Sequence, residues 1–109
     1  MLKKPRSIFF LLLLTIGSVS AQSTTLSCEG FLHESAGAKG APMSATLTLG
    51  SPPSINVGNV ALRTSPVSNN NIQLKFATED FTGEYFYHTH DLFLIYKTGR
   101  LARLSCSPR

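Results

Sequence analysis

Past residue 22 the chain alternates between apolar and polar positions. Leu26, Cys28 and Leu32 share one face of an extended segment, with Ser27 and Glu29 on the other, the period of two that marks a half-buried strand. Ala45, Leu47 and Leu49 alternate with Ser44, Thr46 and Thr48 in a second strand, which Gly50-Ser-Pro-Pro53 ends because proline cannot donate to a central ladder. Ile55–Val57 and Val60–Leu62 flank Gly58-Asn59, which suits a two-residue hairpin turn with positive φ at the glycine. Ile72, Leu74 and Phe76 alternate with Gln73 and Lys75. Two aromatic-rich runs, Phe81 to Tyr87 and Leu92 to Tyr96, are separated by His88-Thr-His-Asp91, and the tight turn Lys97-Thr-Gly-Arg100 leads into Leu101 to Cys106.

The links predict loops at His33 to Met43, rich in Gly and Ala, and at Ser65 to Asn71, polar with Pro66 and three successive asparagines. Nothing sustains a helical period. The pattern therefore predicts an all-β fold: a small antiparallel barrel or sandwich of about seven to eight short strands, linked by hairpins and forming one domain over 22–109.

The segment before it has a different character. Lys3, Lys4 and Arg6 precede the apolar run Ile8 to Ile16 and the small-residue stretch Gly17-Ser-Val-Ser-Ala21. This is the order of a secretory signal peptide over 1–21, with cleavage expected after Ala21. The apolar run is less than half the roughly 20 residues that a bilayer-spanning helix needs, so no membrane span is expected. A lipoprotein signal would place a cysteine directly after the apolar region, whereas Cys28 follows a polar stretch and the residues Thr25-Leu26-Ser27. The expected location is secreted or periplasmic.

Charge adds little once the signal is set aside. Lys39, Arg63, Lys75, Lys97, Arg100, Arg103 and Arg109 face Glu29, Glu34, Glu79, Asp80, Glu84 and Asp91, a net of +1. That is no electrostatic footprint for nucleic acid. The two cysteines, Cys28 and Cys106, read as one structural disulfide in an exported chain. They lack the Cys-x-x-Cys spacing of a redox pair, and two cysteines cannot complete a four-ligand zinc site. Joining the first and last strands would remove about 4–5 kcal/mol of unfolded-chain entropy and would protect the sheet edges.

Candidate chemistry is sparse. In a strand His88 and His90 would share a face and present two imidazoles to one metal ion, with Glu84 or Asp91 as a further ligand. Two histidines are half a site, however, and a four-residue turn from His88 to Asp91, exposed to solvent, is the expected state. No Gly-x-Ser-x-Gly elbow or other nucleophile signature is present, so neither catalysis nor a cofactor is expected. Glu79 and Asp80, adjacent before Phe81, read as a solvated turn.

The aromatic residues carry the stronger functional hint. Phe76, Phe81, Tyr85, Phe86, Tyr87, Phe93 and Tyr96 crowd one stretch, and Tyr85 and Tyr87 must point opposite to Phe86. With Tyr96 and the cations Arg100 and Arg103, those tyrosines make a candidate binding surface; ordinary cross-strand packing is the competing account. Lys97, Arg100, Arg103 and Arg109 would also form a basic border blunting an edge strand.

A signal peptide, a small β domain and one disulfide between terminal strands together resemble, in plan, the small periplasmic inhibitors of c-type lysozyme. That family carries an inhibitory loop in mid-chain with Ser-Gly followed by a Tyr. The nearest string here, Ser35-Ala-Gly-Ala-Lys-Gly40, lies near the start and lacks the Tyr, so no family residue is carried across. The reading reached is an exported, non-catalytic binding module whose partner is an unidentified protein or cell-envelope component. The alternatives are an inhibitor of an exogenous hydrolase such as c-type lysozyme, and a small metal-binding protein using His88 and His90.

Overall fold

A computed structural model describes residues 24–35 and 39–109. The expected signal peptide and its cleavage point, and the middle of the Gly/Ala loop, lie outside the described residues. Nine strands form a single antiparallel sheet: β1 (Thr24–His33), β2 (Ala41–Leu49), β3 (Ser54–Val57), β4 (Val60–Leu62), β5 (Ser65–Asn69), β6 (Gln73–Ala77), β7 (Phe81–Phe86), β8 (Asp91–Tyr96) and β9 (Leu101–Pro108). No helix occurs among the described residues, and none is therefore long and apolar enough to cross a membrane.

The strands lie in the order β4-β3-β2-β1-β9-β8-β7-β6-β5. In a flat sheet at about 4.8 Å per strand the two outermost strands would be about 38 Å apart. Yet β4 and β5 are joined by Arg63 and Thr64 alone, a link whose three Cα steps reach about 11 Å at most. The sheet must curl until its two ends meet. Because every ladder is antiparallel, β4 and β5 run in the same direction. They are thus successive lengths of one bent strand, the first paired to β3 and the second to β6. The Thr64 hydroxyl donates to the Pro53 carbonyl at the bend, fastening it to the chain just before β3.

Eight of the nine strands match the alternation in the sequence. The ninth, β5, occupies what reads as the polar Ser65–Asn71 loop. Its five residues are all exposed, it pairs on one side only, and its register shifts between Pro66 and Ser68. Such a strand has no buried face to generate alternation, and an edge is where proline is tolerated in a sheet. The two-residue turn at Gly58-Asn59 forms with φ +61° at Gly58, and the Lys97–Arg100 turn places Gly99 at φ +95°.

Alternate side chains fill the inside of the curl. Leu26 and Cys28 come from β1, Ala45 and Leu47 from β2, Ile55 from β3, and Leu74 and Phe76 from β6. Phe81, Tyr85, Leu92, Leu94, Ala102, Leu104 and Cys106 come from β7, β8 and β9. Gly83 faces inward beneath the Phe76 ring, which occupies the space a side chain there would need, a cross-strand pairing of aromatic and glycine.

Cys28 and Cys106 face each other directly across β1 and β9, with Cα atoms 4.0 Å apart, and form the disulfide. The terminal strands are joined, as the cysteines imply, but they are not edges. They sit side by side in the middle of the sheet order, so the disulfide lies across the barrel from the β4–β5 ends it was expected to protect. For the same reason Arg103 belongs to a central strand, and the basic residues blunt no edge.

Candidate functional site

With the core side chains turned inward, the opposite face of the same strands is left to solvent. Toward one end of β1, β9 and β8 that face carries a cluster of large apolar side chains. Phe31 of β1 stands opposite Arg103 of β9, and Arg103 opposite Phe93 of β8, so the three form one row across the strands. In the next row His33 stands opposite Leu101, and Leu101 opposite Ile95. Phe31, Ile95 and Leu101 are 53%, 44% and 40% exposed, values that place large apolar side chains in water. Phe93 and the adjoining Phe86 are half-buried and meet edge to face at 5.9 Å.

Charged groups are threaded through this surface. The Arg103 guanidinium lies 5.8 Å from the centre of the Phe93 ring and 3.9 Å from a carboxylate oxygen of Asp91. Glu84, opposite Phe93, pairs with Lys75 at 3.7 Å and accepts a hydrogen bond from the Gln73 amide at 3.3 Å. Glu29 is exposed, two residues from Phe31 on the same face. Beside Phe31 lies an open hollow of about 570 Å³ lined by Glu29, Gly30, Phe31, Pro42, Met43 and Ser44.

The residues expected to form a tyrosine surface are distributed differently. Tyr85 is 2% exposed and belongs to the core, its hydroxyl 2.9 Å from Nδ1 of His90. Burial raises its pKa, and the nearby Tyr87 raises it further. Tyr87 packs against the core and donates a hydrogen bond to Oδ1 of Asn69 at 2.6 Å. Tyr96 also packs against the core, its ring 5.1 Å from that of Phe81, with the Arg100 guanidinium 4.7 Å above its face. Burial raises the Tyr96 pKa, Arg100 opposes that shift and Asp80 adds to it. Arg100 also pairs with Glu34 at 3.9 Å. Of the five candidates only Arg103 lies on the apolar outer face. The parity argument separated Tyr85 and Tyr87 from Phe86 correctly, but the tyrosine side is the inside.

The histidine turn falls one residue earlier than expected, over Tyr87–His90, because Asp91 joins β8. His88, Thr89 and His90 are exposed. His90 has φ +65°, a conformation uncommon outside glycine, and is held there by three contacts. Its amide donates to the Phe86 carbonyl and its carbonyl accepts from Cys106, both at 2.9 Å, while its ring meets the Tyr85 hydroxyl. Among the described residues no three His, Cys, Asp or Glu side chains converge as a metal site would require. The disulfide supplies a covalent tie rather than a reactive group, since Cys28 is fully buried and Cys106 nearly so.

The outward residues Phe31, Phe86, Phe93, Ile95 and Leu101 were missed as a group, although the signal was present. β8 reads Asp-Leu-Phe-Leu-Ile-Tyr, apolar on both parities, and a strand of that kind has two faces to cover. Fold and face together define a small disulfide-tied antiparallel barrel with an aromatic-aliphatic outer surface. Comparison with protein-family models, curated proteins and solved structures finds no match for this chain.

Proposed function

We propose that this protein is an exported, non-catalytic interaction module that docks a protein or cell-envelope component on the outer face of β1, β9 and β8. The observation that carries this reading is the cluster of apolar side chains on the solvent side of β8 and its neighbours, with Phe31 and Phe93 flanking Arg103 in one row and Leu101 beside Ile95 in the next. Isolated exposed apolar residues are ordinary on a protein surface. A contiguous patch with charged residues set into it marks an interaction site. The net charge near neutrality of the 22–109 region supports a protein or envelope partner over nucleic acid. Export is supported by the signal-like first segment and by the disulfide, which persists in oxidising compartments.

The test is capture from a periplasmic or envelope extract with the protein immobilised, alongside Ile95→Lys and Leu101→Lys. Both side chains face solvent, so the variants keep the fold. The expected result is a partner retained by the parent protein and lost by both variants. Equal retention by all three would remove the outer face from consideration. A turbidity assay with c-type lysozyme addresses the inhibitor alternative, and unchanged lysis in excess protein is expected.

A further inference from the structure

We infer that the occupant of this face is a second copy of the same chain, packed about a two-fold axis beside Phe31. The inference rests on the docking reading above and names its partner.

A two-fold interface uses one patch twice, so the patch must be complementary to itself. Here a projection and a hollow lie side by side. Phe31 projects from β1 with 53% of its surface exposed. The hollow next to it, about 570 Å³, has apolar walls in Pro42 and Met43, and it is far larger than a phenyl ring. Gly30, between Glu29 and Phe31 on β1, contributes only main chain to its lining. Turning one copy by half a revolution places each Phe31 at the other's hollow.

The charges are arranged in the same sense. Glu29 is exposed on the Phe31 face and, among the described residues, takes part in no ion pair. Arg103 stands directly opposite Phe31, with a 3.9 Å contact to Asp91 and its guanidinium 5.8 Å from the centre of the Phe93 ring. A cation and an unpaired anion thus flank the projecting ring, so that two copies related by the axis bring Glu29 of each to Arg103 of the other. Edge-to-edge association is disfavoured by comparison. The ends of the sheet are a three-residue β4 and a β5 interrupted by Pro66 and a register shift.

The test is sedimentation of the oxidised, exported protein over a concentration series, with thermal unfolding of each variant as the control for folding. A dimer is expected, with dissociation rising at least tenfold in Phe31→Ser. Glu29→Arg and Arg103→Glu should each dissociate the dimer alone, since each homodimer would oppose like charges twice. Mixing these two variants should restore dimers, because both contacts then regain opposite charges. A parent protein that stays monomeric, or a dimer indifferent to all three substitutions, overturns the inference. If the parent is monomeric while Ile95→Lys still abolishes capture from extract, the docking face stands and the second copy is excluded as its partner. If Ile95→Lys and Leu101→Lys leave capture unchanged, the docking reading falls whatever the oligomeric state.

Discussion

Gly30→Ala is the smallest change that sets sheet closure against a side chain. A Cβ at position 30 would overlap the Arg103 carbonyl oxygen and lie 2.8 Å from the Leu104 Cα. Ordinary contact needs about 3.5 Å, so β9 must retreat from β1 by about 1 Å, roughly a fifth of the strand spacing. The obstacle is backbone and cannot rotate away. Two residues along, the Cys28–Cys106 bond fixes the same two strands. Losing two ladder hydrogen bonds at about 1 kcal/mol each, with overpacking of about 1–3 kcal/mol, gives a cost of about 3–5 kcal/mol. For a domain of this size that lowers Tm by about 12–40 °C. Urea and thermal unfolding of the oxidised protein read the effect. Two other glycines calibrate it. At Gly83 the obstacle is the Phe76 ring, which can tilt, so Gly83→Ala should cost about 1–2 kcal/mol. At Gly58 there is open space but φ is +61°, so Gly58→Ala should cost about 1 kcal/mol from backbone strain alone. The expected ranking is Gly30 above Gly83 above Gly58. A Gly30→Ala protein within about 1 kcal/mol of the parent, with unchanged spectra, would refute the backbone-contact reasoning.

Other outcomes follow from the same contacts. Replacing Cys28 and Cys106 together by alanine should lower stability by about 4 kcal/mol, because the tie closes 78 residues of chain, as urea titration would show. Alkaline unfolding should be governed partly by Tyr85, whose pKa is raised above 10.0 by burial. The folded state then holds its proton where the unfolded chain has released it, so stability is intact below pH 10.0 and falls as pH rises through the raised value. Tyr85→Phe should flatten that fall while costing about 1 kcal/mol at neutral pH for the lost hydrogen bond to His90. Calorimetric titration of chelator-treated protein with zinc should show no micromolar site, and a site abolished by His88→Ala would contradict the turn geometry.

The sequence exposes those parts of the fold that have one wet and one dry face. Eight strands, the Gly58 and Gly99 turns and the cysteine pairing were all legible, because alternation, positive-φ glycines and an even cysteine count each have a single simple explanation. β5 was hidden because a strand with no buried side chain has no alternation to read. The position of β1 and β9 in the middle of the sheet was hidden because strand order depends on pairing between distant residues. The tyrosines illustrate a further limit. Period two separates Tyr85 from Phe86 but does not say which side is inside, and tyrosine is amphipathic enough for either. β8 does not settle the choice either, because Leu92 and Leu94 on one parity and Phe93 and Ile95 on the other are equally apolar.

The bent strand formed by β4 and β5 gives the molecule an unusual covalent logic. A break in the peptide between Arg63 and Thr64, the bond trypsin would recognise beside an exposed arginine, releases nothing. Residues 24–63 and 64–109 would remain one molecule through Cys28–Cys106 and would keep the β1–β9 ladder intact. The protein is therefore two strand meanders clasped at opposite points of a ring, one clasp made of sulfur and the other of main chain. Either can be opened singly with the halves still tethered. Only when both are open do the halves become separate polypeptides, held together by the β1–β9 ladder and the shared core alone.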